Sequence, residues 1–317
     1  KEGGICVLMG DNGSGKSTFV EMLKRGLKND PTPIYMIKDC PMWEEPLHLV
    51  PESLRPQIEK YLNDVKIAGD ICPHCRYNLL EAKDEKGNYL YKDNEGKVLW
   101  EKVPVVQFTI SARAGRGIGV FEPTDPKSQD IGELVGGEDI AVSSRLGRGH
   151  PLSFRLDGEL EKASRGIMEF REIFRFDVKF LYTLFGVAQE QTIKVQGTPF
   201  PLVYIDTLVL AHINTEKFDE FRRKVEEKAL QSRMYTIYSP YNLGVSEEIK
   251  TYEKMINESE FRKIHRAPCS LWAVAAPAVM SRYFKSGKCP SLPGTGGRPG
   301  RHRTASRYHR RPEKRRR

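Results

Sequence analysis

Eight residues near the start limit what this chain can become. Gly10-Asp11-Asn12-Gly13-Ser14-Gly15-Lys16-Ser17 reads G-x-x-x-x-G-K-[ST] without mismatch. Before it, Ile5-Cys6-Val7-Leu8-Met9 is an unbroken apolar run, the pattern of a parallel strand covered on both faces. After it, Phe19, Met22, Leu23 and Leu27 recur at helical spacing, which predicts the face that the following helix buries. Strand, glycine loop and helix in that order form the setting in which the motif cradles a nucleotide's phosphates. Gly10, Gly13 and Gly15 permit close backbone approach. The amides from Gly10 to Thr18 and the start of the helix then face an anion. Lys16 is placed for the β- and γ-phosphates of ATP, and the Ser17 hydroxyl for Mg²⁺.

Composition narrows the class further. The chain has 317 residues, 39% hydrophobic and 29% charged, as in ordinary globular proteins. No apolar stretch approaches the roughly 20 residues of a membrane helix, and no secretory signal precedes Ile5. Residue 1 is Lys and strand residues begin almost at once, so a natural N-terminus is expected upstream. The net charge of +9 resides in residues 290–317, where ten basic residues face the single acid Glu313. Residues 1–289 are therefore formally neutral and carry no net-charge signature for nucleic acid. The tail is expected to be disordered and inert, since Arg, Pro and Gly build no core. Six cysteines in a chain this long give no disulfide framework. A cytoplasmic location with reduced thiols is expected for an ATPase of this kind.

Along the chain, Ile34–Ile37 and Val105–Ile110 read as strands, and Leu47–Leu62 as a region holding a short helix. Asn88–Trp100 reads as a hairpin about Asn94-Glu95-Gly96, whereas residues 111–130, rich in Arg, Gly, Pro and Asp, read as a loop. A helix leads from Gly158 into a short strand at Ile167–Phe170. Another helix spans Lys179–Gln189, and a hairpin runs through Ile193–Val203. Leu208–Ile213 is a buried-strand run ending at Asn214. Glu216–Leu230 reads as a charged helix, Met234–Tyr238 as a strand, and Ser246–Ile256 as a helix. Cys72-Pro73-His74-Cys75 is half of a metal motif. Cys40 and His48 are the candidates to complete four Zn²⁺ ligands with Cys72 and Cys75, with reduced structural thiols as the alternative.

Several blocks carry a family resemblance. Asp39-Cys40-Pro41-Met42-Trp43-Glu44-Glu45-Pro46-Leu47-His48, Asp125–Ile131, Arg165–Phe170 and Pro240-Tyr241-Asn242-Leu243 occur in order with the glycine loop. Together they resemble the PrkA-type serine protein kinase family over residues 1 to about 289. The resemblance implies an α/β P-loop NTPase of AAA+ type: a parallel sheet flanked by helices, with hairpin insertions and a partial helical lid. The implied division is an ATPase core at 1–245 with an insertion near 70–104, a lid at 246–289 and the tail at 290–317. It also implies a C-terminal kinase-like region that this chain does not contain.

The same resemblance assigns roles. The strand at Ile167–Glu172 takes the place of the Walker B strand, with Glu172 as the carboxylate that polarises water. Arg171 stands where ordinary ATPases have Asp. Leu202-Val203-Tyr204-Ile205-Asp206 is a competing acid-bearing strand, and a solvated charge at a strand end is the plain alternative for Glu172. Asn214 matches the sensor position that touches the γ-phosphate and the attacking water, the alternative being a helix cap. Arg233 matches an arginine finger that completes a neighbour's site, the alternative being a surface arginine. The finger implies a homo-oligomeric ring, the protein partner or substrate remaining open. The activities considered are ATP hydrolysis, protein serine phosphorylation requiring the absent region, and nucleotide binding with little turnover.

Overall fold

Five parallel strands hold the glycine loop in place. The computed structural model describes residues 4–93, 95–122, 130–147, 149–173, 178–195, 202–224 and 233–285. The strands are β1 (Ile5–Met9), β2 (Ile118–Phe121), β3 (Gly166–Arg171), β4 (Thr207–Ile213) and β5 (Met234–Tyr238). They lie in the order β5-β1-β4-β3-β2, each pair parallel. Met9 pairs with both Ile213 and Tyr238, and His212 with Arg171. The carboxyl ends of the strands are therefore nearly flush, on the edge where open α/β sheets bind ligands.

Residues alternate between the two faces. Val7, Met168, Phe170, Val209, Ala211 and Ile213 join a core with helix α2 (Val178–Glu190), which supplies Phe180, Leu181, Leu184 and Phe185. Leu8, Ile167 and Leu210 face Val20 of helix α1 (Lys16–Lys28) on the other side. Here the sequence expectation is corrected. Phe19, Met22 and Leu23 are exposed, and α1 buries Lys16, Val20 and Lys24 instead. A buried lysine is tolerated because Glu169 of β3, also buried, meets its ammonium group.

Other expectations are corrected too. Ile34–Ile37 forms a strand, but it pairs antiparallel with Val105–Phe108 outside the main sheet. The edge of the main sheet belongs to β2, which lies inside the stretch read as a loop. Glycine disguises that strand. A Cβ at Gly119 would overlap the carbonyl oxygen of Glu159 and the sulfur of Met168, so the short helix Glu159–Lys162 sits directly on the β2 backbone. The stretch 83–100 is two tight turns with isolated bridges Lys83–Tyr89 and Lys92–Val98, not one hairpin. Asp84 and Asp93 organise them by accepting the amides of Asn88 and Lys97 at 2.8 Å. The expected hairpin near 193–203 is a short pair, Thr192–Ile193 against Val203–Tyr204.

The chain divides into two compact units after Tyr241. In the second, helices α4 (Val245–Asn257) and α5 (Ser270–Lys285) are joined by Arg282, whose guanidinium grips both carboxylate oxygens of Glu248 at 2.7 Å. That grip holds the Glu248 carboxyl below its ordinary range. No helix among the described residues is long and apolar enough to cross a membrane. The block at 125–131 falls largely outside the described residues, as do Cys289 and the whole tail at 290–317.

Candidate nucleotide site

The loop after β1 is fixed at both ends by backbone. The Gly10 amide donates to Ile213 O at 3.2 Å, and Phe19 N donates to Gly15 O at 2.9 Å. Gly13 (φ 85°) and Gly15 (φ 84°) are left-handed, which a side chain would strain. At Gly10 the reason for glycine is space, since a Cβ there would collide with Ser239 O. Lys16 Nζ donates to Gly10 O and Asp11 O, both at 2.8 Å, and lies 3.4 Å from Ser14 Oγ. The lysine thus crosses the mouth of its own loop. Burial lowers its pKa, with Asp11 acting in the opposite sense. Ser17 and Thr18 are exposed in the first turn of α1.

Two supports of this loop escaped the sequence reading. Ser239 N donates to Met9 O at 2.7 Å and its hydroxyl to Ser14 O at 3.0 Å. The Tyr241 hydroxyl donates to Asn12 O at 3.1 Å. The only sequence signal was the block Pro240–Leu243, which carried resemblance but no role.

The strand ends set the other candidates in a row. Reading across the sheet, Ser239, Gly10, Asn214, Glu172 and Glu122 follow β5, β1, β4, β3 and β2. Asn214 therefore sits between the loop and Glu172. Its Nδ2 lies 3.5 Å from Asn12 Oδ1 in the loop, while its Oδ1 accepts the Glu216 amide at 3.2 Å. Asn214 thus caps helix α3 (Thr215–Lys224) while its amide lies beside the loop. Thr215 Oγ1 adds a bond to Asp11 Oδ1 at 3.0 Å.

Glu172 follows β3 with φ 53° and an exposed side chain, its amide donating to His212 O. A left-handed residue at a strand end turns the chain sharply. Two strand spacings, about 10 Å, separate its backbone from the loop. Asp206 precedes β4 instead, one strand length (~20 Å) from that edge, and its side chain lies near Gln191. Asp206 is thus excluded from the same site.

Arg171 and Glu169 point to the α1 face. Glu169 accepts from Lys24, from Arg171 Nε at 3.2 Å and from His212 Nε2 at 3.0 Å. Burial pushes this carboxyl up, but the bonds from His212 and Lys24 and the charges of Lys24 and Arg171 outweigh it and hold it down to about 2. Arg171 also reaches Glu122 Oε2 at 2.9 Å. Glu169 is thus committed to ion pairs.

Arg233 lies just before β5, at the opposite edge from the loop. Its carbonyl accepts the Ile5 amide at 3.1 Å, and its guanidinium lies 5.8 Å over the Phe185 ring. It does not approach the loop of its own chain.

Of the four zinc candidates, three come together. Cys40, Cys72 and Cys75 are buried with their sulfurs within 4.8 Å of one another. His48 is not among them. Its Nδ1 pairs with Glu44 Oε1 at 2.5 Å, while Glu44 Oε2 accepts the Cys72 amide at 2.5 Å. Hydrogen bonds from Cys72 and Cys75 hold the Cys40 thiol below its ordinary range, whereas burial pushes Cys72 up.

Comparison with known proteins bears on this arrangement. The family described as the PrkA AAA domain matches residues 2–289. The chain belongs to the PrkA AAA family. It is 39% identical over 283 residues to the "ATP-dependent protease PrkA" of Bacillus subtilis (strain 168), and 31% identical over 288 residues to the "Serine/threonine kinase YeaG" of Escherichia coli (strain K12). Each match covers 88% of this chain and 42% of the relative, so the chain spans less than half the length of either. Among solved structures, a cryo-EM-based model of the complex between the BchI and BchD subunits of magnesium chelatase aligns with TM-score 0.47 and 16% identity. It covers 89% of this chain and 65% of that one. The PrkA AAA domain here holds its glycine loop at the carboxyl ends of a parallel α/β sheet, braced from β4 and β5.

Proposed function

We propose that this PrkA AAA domain binds ATP in the loop Gly10–Thr18 and hydrolyses it. The observation that carries the reading is the row of strand ends, in which Asn214 joins the glycine loop to the strand that ends in Glu172. In this reading Lys16 exchanges its loop carbonyls for the β- and γ-phosphate oxygens. The Asn214 amide holds the γ-phosphate side and the attacking water. Glu172 accepts that water's proton as its oxygen bonds to the γ-phosphorus and the bond from that phosphorus to the β–γ bridging oxygen breaks, releasing ADP and phosphate.

The loop fits a triphosphate: two left-handed glycines, a lysine across the mouth and a helix N-terminus behind. The Ser17 hydroxyl is the group that would hold Mg²⁺. When bound, the ion would offset phosphate charge. Arg233, turned from its own loop, is assigned to a neighbouring copy's nucleotide, which requires a homo-oligomeric ring.

The two relatives bear different activity names, protease and kinase, yet match this chain over the same 42% of their lengths. Nucleotide handling is what such a segment can contribute to both. Protein serine phosphorylation is assigned to the remaining part of a longer protein. A second reading has its own observation: Arg171, at the usual acid position, is tied to Glu169 and Glu122. That favours a nucleotide-gated scaffold with slow turnover.

Purified chain incubated with Mg²⁺ and γ-labelled ATP separates these. Steady release of free phosphate, lost in Lys16→Ala, supports hydrolysis. ATP bound but intact over many minutes supports the scaffold. Nucleotide binding by Lys16→Ala equal to the wild type overturns both.

A further inference from the structure

We propose that Cys40, Cys72 and Cys75 bind one Zn²⁺ ion as three thiolates, pinning the insertion after Ile71 to the segment that follows the strand Ile34–Ile37. Cys40 belongs to the block Asp39–His48, whereas Cys72 and Cys75 lie 32 and 35 residues later, on a turn that Pro73 stiffens. Two separate segments thus aim three sulfurs at one point. Cys40 Sγ and Cys72 Sγ stand 3.6 Å apart, and all three sulfurs lie within 4.8 Å of one another. A tetrahedral ion with Zn–S bonds of about 2.3 Å sets its sulfurs about 3.8 Å apart, so small side-chain shifts suffice. The trio is too tightly grouped to straddle a cluster of several irons.

The backbone around the sulfurs suits thiolates. Met42 N donates to Cys40 Sγ and Cys75 N to Cys72 Sγ, each at 3.4 Å. Amide donors of this kind steady a sulfur that carries negative charge. Glu44 holds the Cys72 backbone through its amide and is itself held by His48, so the turn is oriented from outside. His74, between the two cysteines, is turned away to Phe154 O at 2.8 Å. Among the described residues no further His, Cys, Asp or Glu side chain joins the trio, so a fourth ligand would come from outside it. The surroundings are apolar, with Ile37, Met42, Leu49, Ile71 and Leu79 in the same core. Ion uptake fixes all three sulfurs as thiolates and releases the protons they still carry. A disulfide would join only two of the sulfurs and strand the third.

The test uses the reduced, purified chain, stripped with chelator and titrated with Zn²⁺ or Co²⁺ alone. One ion per chain is expected, with proton release and a cobalt spectrum showing tetrahedral d–d bands and thiolate charge transfer. Cys72→Ser should lower zinc affinity at least tenfold. Should that variant fail to fold, alkylation of the wild-type chain decides. Cys40, Cys72 and Cys75 should be protected by zinc and become reactive with chelator, while exposed Cys269 reacts in both states. No retained or rebound ion, an octahedral cobalt spectrum without charge transfer, or a Cys40–Cys72 disulfide in metal-free native protein would each overturn the assignment.

Discussion

Glu161 offers a measurement that reports directly on the buried frame around β2. It lies in the short helix Glu159–Lys162, has no exposed surface, and neither carboxylate oxygen has a hydrogen-bond partner among the described residues. Burial raises its pKa from the ordinary 4.5 to about 8, with its own amide and Lys162 offsetting only part. A carboxyl raised on folding binds its proton more tightly in the native state. Its contribution is complete below the unfolded value and is lost as pH climbs toward the folded value. Integrating between about pH 5 and about pH 8 gives a loss of roughly 3–4 kcal/mol from this one group. Glu161→Gln keeps the shape and cannot ionise, so it escapes the loss. Urea unfolding of both proteins at the two pH values should show the stability difference, Gln minus Glu, growing by about that amount toward the alkaline side. A difference that stays flat, or shrinks as pH rises, would refute the claim that an unpaired carboxyl is buried there.

Other outcomes follow from the site and the sheet. Glu172→Gln should keep nucleotide affinity while lowering phosphate release by about 10²-fold or more, and Asp206→Asn should leave both unchanged; equal losses would refute the ordering of strand ends. Asn214→Asp keeps the acceptor that caps α3 but removes the amide donor facing the loop, so turnover should fall about 10²-fold with the thermal midpoint unchanged. Gly119→Ala should cost about 3 kcal/mol or more, because the helix Glu159–Lys162 leaves no room for the methyl group; a wild-type urea midpoint would contradict the packing described for β2.

How much was legible depended on whether a residue's neighbours were local. The glycine loop and its flanks were readable because strand, turn and helix chemistry occupy adjacent residues. Leu208–Ile213 was readable because a strand buried on both faces is apolar throughout. β2 was not, because Gly119 answers to a helix that arrives some forty residues later. The buried face of α1 was misread for the same reason. Lys24 is polar in the sequence, and only Glu169 across the sheet makes its burial tolerable. At the cysteines, the Cys72–Cys75 spacing announced itself and Cys40 joined it, but nothing in the sequence said that Glu44 would divert His48. Asp206 looked as acidic as Glu172; only register set one at the loop edge and the other a strand length away.

The Tyr241 hydroxyl holds Asn12 in the phosphate loop, and Tyr241 is also where the first compact unit ends. The next residue already belongs to the second unit. The last side chain of the first unit is thus also a strut of the glycine cradle, and Tyr241→Phe would take that strut away.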